Sequence, residues 1–131
     1  MSGYVLNLYG TCLMLRTEVL DRIGWFDEQF FMYAEDVDLC RRIHNAGWKL
    51  YYLSEAEIIH IAGSASKNNS NQFSALMACE SIAKLMRKYY GSFGQGSYRI
   101  VIFIGSLLRL AMLCLAKVAS LSFKLDVKNY T

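Results

Sequence analysis

Phe30-Phe31-Met32-Tyr33-Ala34-Glu35-Asp36-Val37-Asp38-Leu39-Cys40-Arg41-Arg42 is a run in which an aromatic loop turns into a helix. From Glu35 onward the spacing is helical, with Leu39, Ile43 and Ala46 on one face of residues 35–46. Glu35, Asp36 and Asp38 crowd the start, and Arg41, Arg42 and His44 follow towards the end, a polarity that suits the helix dipole. His44, on the flank, is expected at the surface. Gly47 fits the residue that closes such a helix in the left-handed conformation. Two adjacent carboxylates therefore stand at the entrance of a helix. They repel each other, while the free N–H groups of a helix start favour an anion. The expected product is a carboxylate fixed by its backbone and available as a base. Acids that merely stabilise a helix start are the alternative.

Upstream, residues 4–9 are strand-like, and 11–16 form an apolar run after Gly10 that reads as a buried strand. Thr17 can cap a short helix over 18–23, ended by Gly24. Residues 25–33 read as a loop whose rings are mostly core. Downstream, 48–53 and 57–61 read as strands joined by Ser54-Glu55-Ala56. Residues 64–72 are small and polar, as in a loop or lid, and 73–90 form a helix striped by Ala78, Ile82, Leu85 and Tyr89. The three glycines of 91–97 suggest a hinge before a long apolar helix over 98–124. Strands alternating with helices point to an α/β fold.

At 131 residues the chain suffices for one domain with a real core, not two. Its 54% apolar and 14% aromatic content excludes a disordered chain. A net charge of +3 is mild and does not suggest a dedicated nucleic-acid binder, so no nucleic-acid partner is expected. Cys12, Cys40, Cys79 and Cys114 each lie in an apolar run, without zinc-site spacing, and read as reduced, hydrophobe-like thiols of a cytosolic protein. The strand-like stretch follows Met1 so closely that the chain reads as opening in mid-fold.

The last helix is not evenly apolar. At about 100° per residue, Arg99, Ser106, Arg109, Lys117, Ser120 and Lys124 gather within about a quarter of its circumference. A narrow basic stripe beside a wide apolar face suits an anionic membrane surface. Arg109 and Lys117 near the middle make a full crossing costly. The alternative is a helix packed on a partner chain.

Gly10-Thr11-Cys12-Leu13-Met14-Leu15-Arg16, Ile23-Gly24-Trp25-Phe26-Asp27-Glu28, Phe31 to Arg41, Ala46-Gly47-Trp48-Lys49-Leu50-Tyr51-Tyr52, Ile58-Ile59-His60 and Gly63-Ser64-Ala65-Ser66 follow in one order. Over residues 4–70 this order and spacing resemble family 2 glycosyltransferases, above all the rhamnosyltransferase-like branch that builds bacterial surface polysaccharides. The resemblance implies an incomplete GT-A-type mixed sheet, the acceptor-side half, over 1–72. A helix over 73–90, the hinge at 91–97 and the amphipathic, membrane-seeking helix over 98–124 would follow it.

The resemblance also implies an inverting transfer from a nucleotide-sugar to a glycan acceptor, in some systems lipid-linked, with a divalent metal, Mg or Mn, in the complete enzyme. Asp36 would be the base, with Glu35 shaping the pocket or tuning it. Asp27, Glu28, Trp25 and Tyr33 would lie on the acceptor side, although structural loop acids and core rings are alternatives. His60 would ligate the metal or touch the diphosphate, unless it is a hydrogen-bonded histidine at a strand end. Asp36-Val37-Asp38 spells a metal motif but lies inside the base motif. The nucleotide-binding half of the family has no counterpart before Gly10, so the resemblance implies a fragment inactive by itself at the cytoplasmic face of the membrane. A non-catalytic membrane adaptor is the competing reading.

Overall fold

Helix α2, Glu35–Asn45, forms where the periodicity places it. Leu39, Cys40 and Ile43 are buried, and Asp38 is buried with them. Gly47 follows at φ 84°, a left-handed value that glycine takes without a side-chain clash. The chain is described here by a computed structural model covering residues 1–60 and 71–129, with the side chains of residues 71 and 120–129 outside the description. The block at 63–66, most of the loop expected at 64–72, and the side chains of Ser120 and Lys124 thus lie outside the described residues.

The described part is mixed α/β. Strand β1 (Gly3–Val5) pairs antiparallel with β2 (Leu50–Tyr52), Val5 opposite Leu50. Helix α1 (Thr17–Ile23) closes at Gly24, where φ is 80°. Val19 and Leu20 of α1 meet Leu39, Cys40 and Ile43 of α2 and Leu50 of β2 in one buried cluster. Leu8, Leu13, Leu15 and Trp48 pack around it. Burying each such aliphatic side chain contributes about 1.5–3 kcal/mol.

Several expectations change. Residues 11–16 are not a strand: Leu13 and Leu15 turn to the core, Cys12 and Met14 are exposed, and no strand among the described residues pairs with them. Residues 57–60 are likewise irregular, with Ile58 and Ile59 exposed. Thr17 is the first helical residue rather than a cap; Arg16 holds the cap position without a side-chain bond. Of the loop rings only Phe30 is buried, while Trp25, Phe26, Phe31 and Tyr33 are exposed. His44 is half-buried, its Nε2 3.1 Å from the Leu6 carbonyl. All four thiols are free, but only Cys40 is buried. Burial pushes the Cys40 thiol above its usual pKa, consistent with a packing role.

Helix α3 runs Asn71–Asn129, and among the described residues its backbone leaves helical geometry only at Gly91 (φ 66°, ψ −162°). That conformation is open to glycine and almost nothing else. The hinge expected at 91–97 therefore narrows to Gly91. A Cβ on Gly94 would overlap Tyr90 Cβ and meet the Met86 carbonyl at 3.0 Å, so the elbow closes tightly there. The first arm, 71–90, docks on the body through Ser81, Lys84, Lys88 and Tyr89. Of the expected stripe, Ala78, Leu85 and Tyr89 are half-buried and Tyr89 makes a docking contact, while Ile82 is exposed. On the second arm, large apolar side chains from Ile100 to Val118 are exposed. Gln72–Ala119 is long and apolar enough to cross a membrane by length and composition.

Candidate functional site

Tyr33 and Ala34, directly before the acidic pair, both take positive φ, 68° and 66°. Left-handed backbone costs an L-residue about 1–2 kcal/mol, so the surroundings must hold it. They do so from both sides. Ser81 Oγ of α3 donates to the Met32 carbonyl at 2.6 Å, and Lys84 Nζ donates to the Gln29 carbonyl at 3.2 Å. The Asp38 N–H donates to the Ala34 carbonyl at 2.9 Å, the first bond of α2.

Asp36 is half-buried and held by two N–H groups. Its Oδ2 accepts from Gly10 N–H at 2.9 Å and its Oδ1 from Val37 N–H at 2.8 Å. A Cβ on Gly10 would sit 3.4 Å from Asp36 Cβ, so the two residues stand side by side. Each carboxylate oxygen keeps a lone pair for a further donor. Beside it, Glu35 Oε2 is buried without a hydrogen-bond partner among the described residues. An acceptor left in that state is costly and is relieved by any incoming hydroxyl.

A second acidic centre lies one turn on. Asp38 is fully buried, yet it accepts from Arg42 Nε at 2.8 Å, Lys88 Nζ at 2.6 Å and Tyr89 OH at 2.7 Å. Burial pushes its pKa up, but the bonds from Lys88, Tyr89 and Arg42 outweigh burial and hold it below the carboxylate range. Tyr89, desolvated and bonded to Asp38, is pushed up to about 12. The Arg42 guanidinium also donates to the carbonyls of Ile23, Gly24 and Trp25, closing the C-terminus of α1. Arg41 lies 3.9 Å over the Tyr89 ring. These contacts tie α1, α2 and α3 into one joint beneath the acidic pair.

The sequence-derived candidates divide accordingly. Asp27 takes Lys88 Nζ at 2.7 Å and both the backbone and side-chain N–H of Gln29. The bond from Lys88 leads in holding its carboxyl below the usual range. Glu28 and Trp25 are exposed on the same loop, and Tyr33 is exposed on the strained bend. His60 is exposed, without a hydrogen-bond or ion-pair partner among the described residues. Asp38, Lys88 and Tyr89 are the functional-region residues that the sequence pattern does not single out as site residues. In sequence Lys88 is one of several charges on an amphipathic helix and Tyr89 belongs to its apolar stripe, so neither stands out. Glu35 and Asp36 supply anionic oxygens, but among the described residues no three His, Cys, Asp or Glu side chains converge as a metal would require. No metal step follows from this chain.

The profile of the glycosyl transferase family group 2 matches residues 1–126. Over 53 residues the chain is 47% identical to an N-acetylglucosaminyl-diphospho-decaprenol L-rhamnosyltransferase of Mycobacterium tuberculosis, covering 40% of this chain and 17% of the relative. It is 40% identical over 53 residues to the rhamnosyltransferase WbbL of Escherichia coli, 40% of this chain and 20% of that one. It is 31% identical over 54 residues to the low-salt glycan biosynthesis hexosyltransferase Agl10 of Haloferax volcanii, 41% and 18%. The matched stretch thus spans a fifth or less of the length of these relatives. No solved structure matches the chain.

Proposed function

The chain belongs to the glycosyl transferase family group 2, and from that premise we propose that it carries the acceptor side of an inverting sugar transferase with Asp36 as general base. The acceptor hydroxyl gives its proton to Asp36 as its oxygen attacks the anomeric carbon. The bond from that carbon to the nucleoside diphosphate breaks as the new one forms. A hydroxyl is a weak nucleophile until a positioned base relieves it of its proton, a gain of about 10²–10⁴-fold. The observation carrying this reading is the Asp36 carboxylate, held by Gly10 N–H at 2.9 Å with a lone pair to spare. Glu35 Oε2, buried and unpartnered, suits a hydroxyl of the acceptor. Trp25 and Tyr33, exposed nearby in sequence, suit the apolar face of a sugar ring.

The names of the relatives support a rhamnosyl or related hexosyl donor and a surface-glycan acceptor. Nucleotide-sugar binding is assigned to the length of those relatives that this chain does not match, so the isolated chain is expected to be inactive. The second arm of α3 is proposed to lie in the plane of the membrane at its cytoplasmic face. Its exposed apolar side chains and the cations Arg99, Arg109 and Lys117 support an interfacial position over a crossing one.

The test is Asp36→Asn in a longer chain that joins this segment to a nucleotide-sugar-binding region. Turnover should fall by about 10²-fold or more with donor affinity nearly unchanged. Near-normal turnover would remove Asp36 from the role of base.

A further inference from the structure

The two arms of α3, with Gln29 of the body, border an open cleft of about 1130 Å³. Lys84, Arg87 and Lys88 line it from the first arm; Arg99, Ile102 and Phe103 line it from the second. Two of these cations are neutralised. Lys84 pairs with Glu80 at 2.8 Å, and Lys88 with Asp27 and Asp38. Arg87 and Arg99 have no ion-pair or hydrogen-bond partner among the described residues. Two unpaired guanidiniums, one from each arm, thus border one concave space whose remaining wall is partly apolar. Guanidinium forks match the oxygens of a phosphate in pairs.

The direction of the cleft matters as much as its charge. At about 100° per residue, Ile104, Leu108 and Leu115 fall on the side of the second arm opposite the residues that line the cleft. That far side is apolar and exposed. An arm seated in a membrane by its far side holds the cleft at headgroup level. The elbow is built for this spacing: Gly91 takes a backbone conformation that other residues avoid, and Gly94 leaves no room for a Cβ.

We propose that the elbow cleft seats the terminal phosphate of a membrane lipid, with Arg87 and Arg99 as a two-armed clamp and Ile102 and Phe103 against the adjoining glycerol and acyl carbons. The inference rests on the interfacial reading of α3 but names a seat separate from the acidic pair. Its role is anchoring: it fixes the rotation of the helix at the surface and, through Lys88, the body docked on the first arm.

The experiment is flotation of the 131-residue chain with lecithin vesicles carrying either phosphatidic acid or phosphatidylglycerol at matched negative charge. The exposed monoester should be preferred by about tenfold, the weight of a charge-assisted contact. Arg87→Gln with Arg99→Gln should abolish the preference. Arg109→Gln with Lys117→Gln removes the same charge elsewhere and should weaken binding to both vesicles while keeping the preference. Gly94→Ala, which forces the arms apart, should lose the preference with both guanidiniums still present, and circular dichroism should show helix content retained. Equal binding to the two vesicle types overturns the seat and leaves the interfacial reading standing. Indifference to every vesicle overturns the interfacial reading and the seat with it. Phosphorus NMR with pyrophosphate and no vesicles separates the sources: binding that requires Arg87 and Arg99 would assign the clamp to a soluble phosphate instead of a lipid.

Discussion

Replacing Asp38 by alanine strikes the joint that holds α3 to the body. Its carboxylate has no solvent exposure and receives Arg42, Lys88 and Tyr89 at 2.8, 2.6 and 2.7 Å. Breaking a buried ion pair by removing one side costs about 3–5 kcal/mol, because the other charge stays buried and unpaired. Here the survivors are partly covered. Lys88 keeps Asp27, and Arg42 keeps the carbonyls of Ile23, Gly24 and Trp25. The loss should therefore fall at the lower end, about 3 kcal/mol. With a urea slope of about 1–2 kcal/mol per molar, the midpoint should drop by about 1.5–3 M. Tryptophan fluorescence of the chain in neutral nanodiscs is a readout, since Trp48 packs against the core that unfolding exposes. A cycle with Lys88→Met isolates the pair, and the coupling should be about 2 kcal/mol. Single losses below about 1 kcal/mol and a coupling near zero would refute the joint as the origin of the docking.

Asp27 and Asp38 have depressed pKa values, so their stabilisation is complete above the ordinary carboxylate value of about 4 and is lost as pH falls through the folded values. Lys88 is raised and Tyr89 is raised to about 12, so their contribution is complete below about pH 10 and lost as pH climbs towards 12. Melting temperature against pH should show a plateau between these limbs, and an inflection between pH 6 and 8 would contradict the assignment. Tyr33→Asn should raise stability by about 0.5 kcal/mol, because asparagine tolerates the φ of 68° better than tyrosine. A loss of more than about 1 kcal/mol in urea would show that the Tyr33 ring contributes packing that outweighs the strain.

Helix α2 was legible in the residues because its information is local. The 3.6-residue spacing of Leu39 and Ile43, the acids at its start and Gly47 after its end act within a few residues of one another. The three glycines of 91–97 marked the region of the break for the same reason, though not that it falls at Gly91. The false strands at 11–16 and 57–60 show the limit. An apolar run says that side chains can be buried, but a strand also needs a neighbour for its N–H and C=O groups, and none is present among the described residues. Tertiary structure alone decided what Asp38 does. Its partners Lys88 and Tyr89 stand about fifty residues away on a helix that reads as merely amphipathic, and no periodicity links the two segments. It also decided that Arg87 and Arg99 border one cleft, since the helix kinks at Gly91 between them. Pattern in a sequence reports which side chains share a face; which faces meet depends on the path of the backbone between them, and on the free energy of burying charge only where a countercharge arrives.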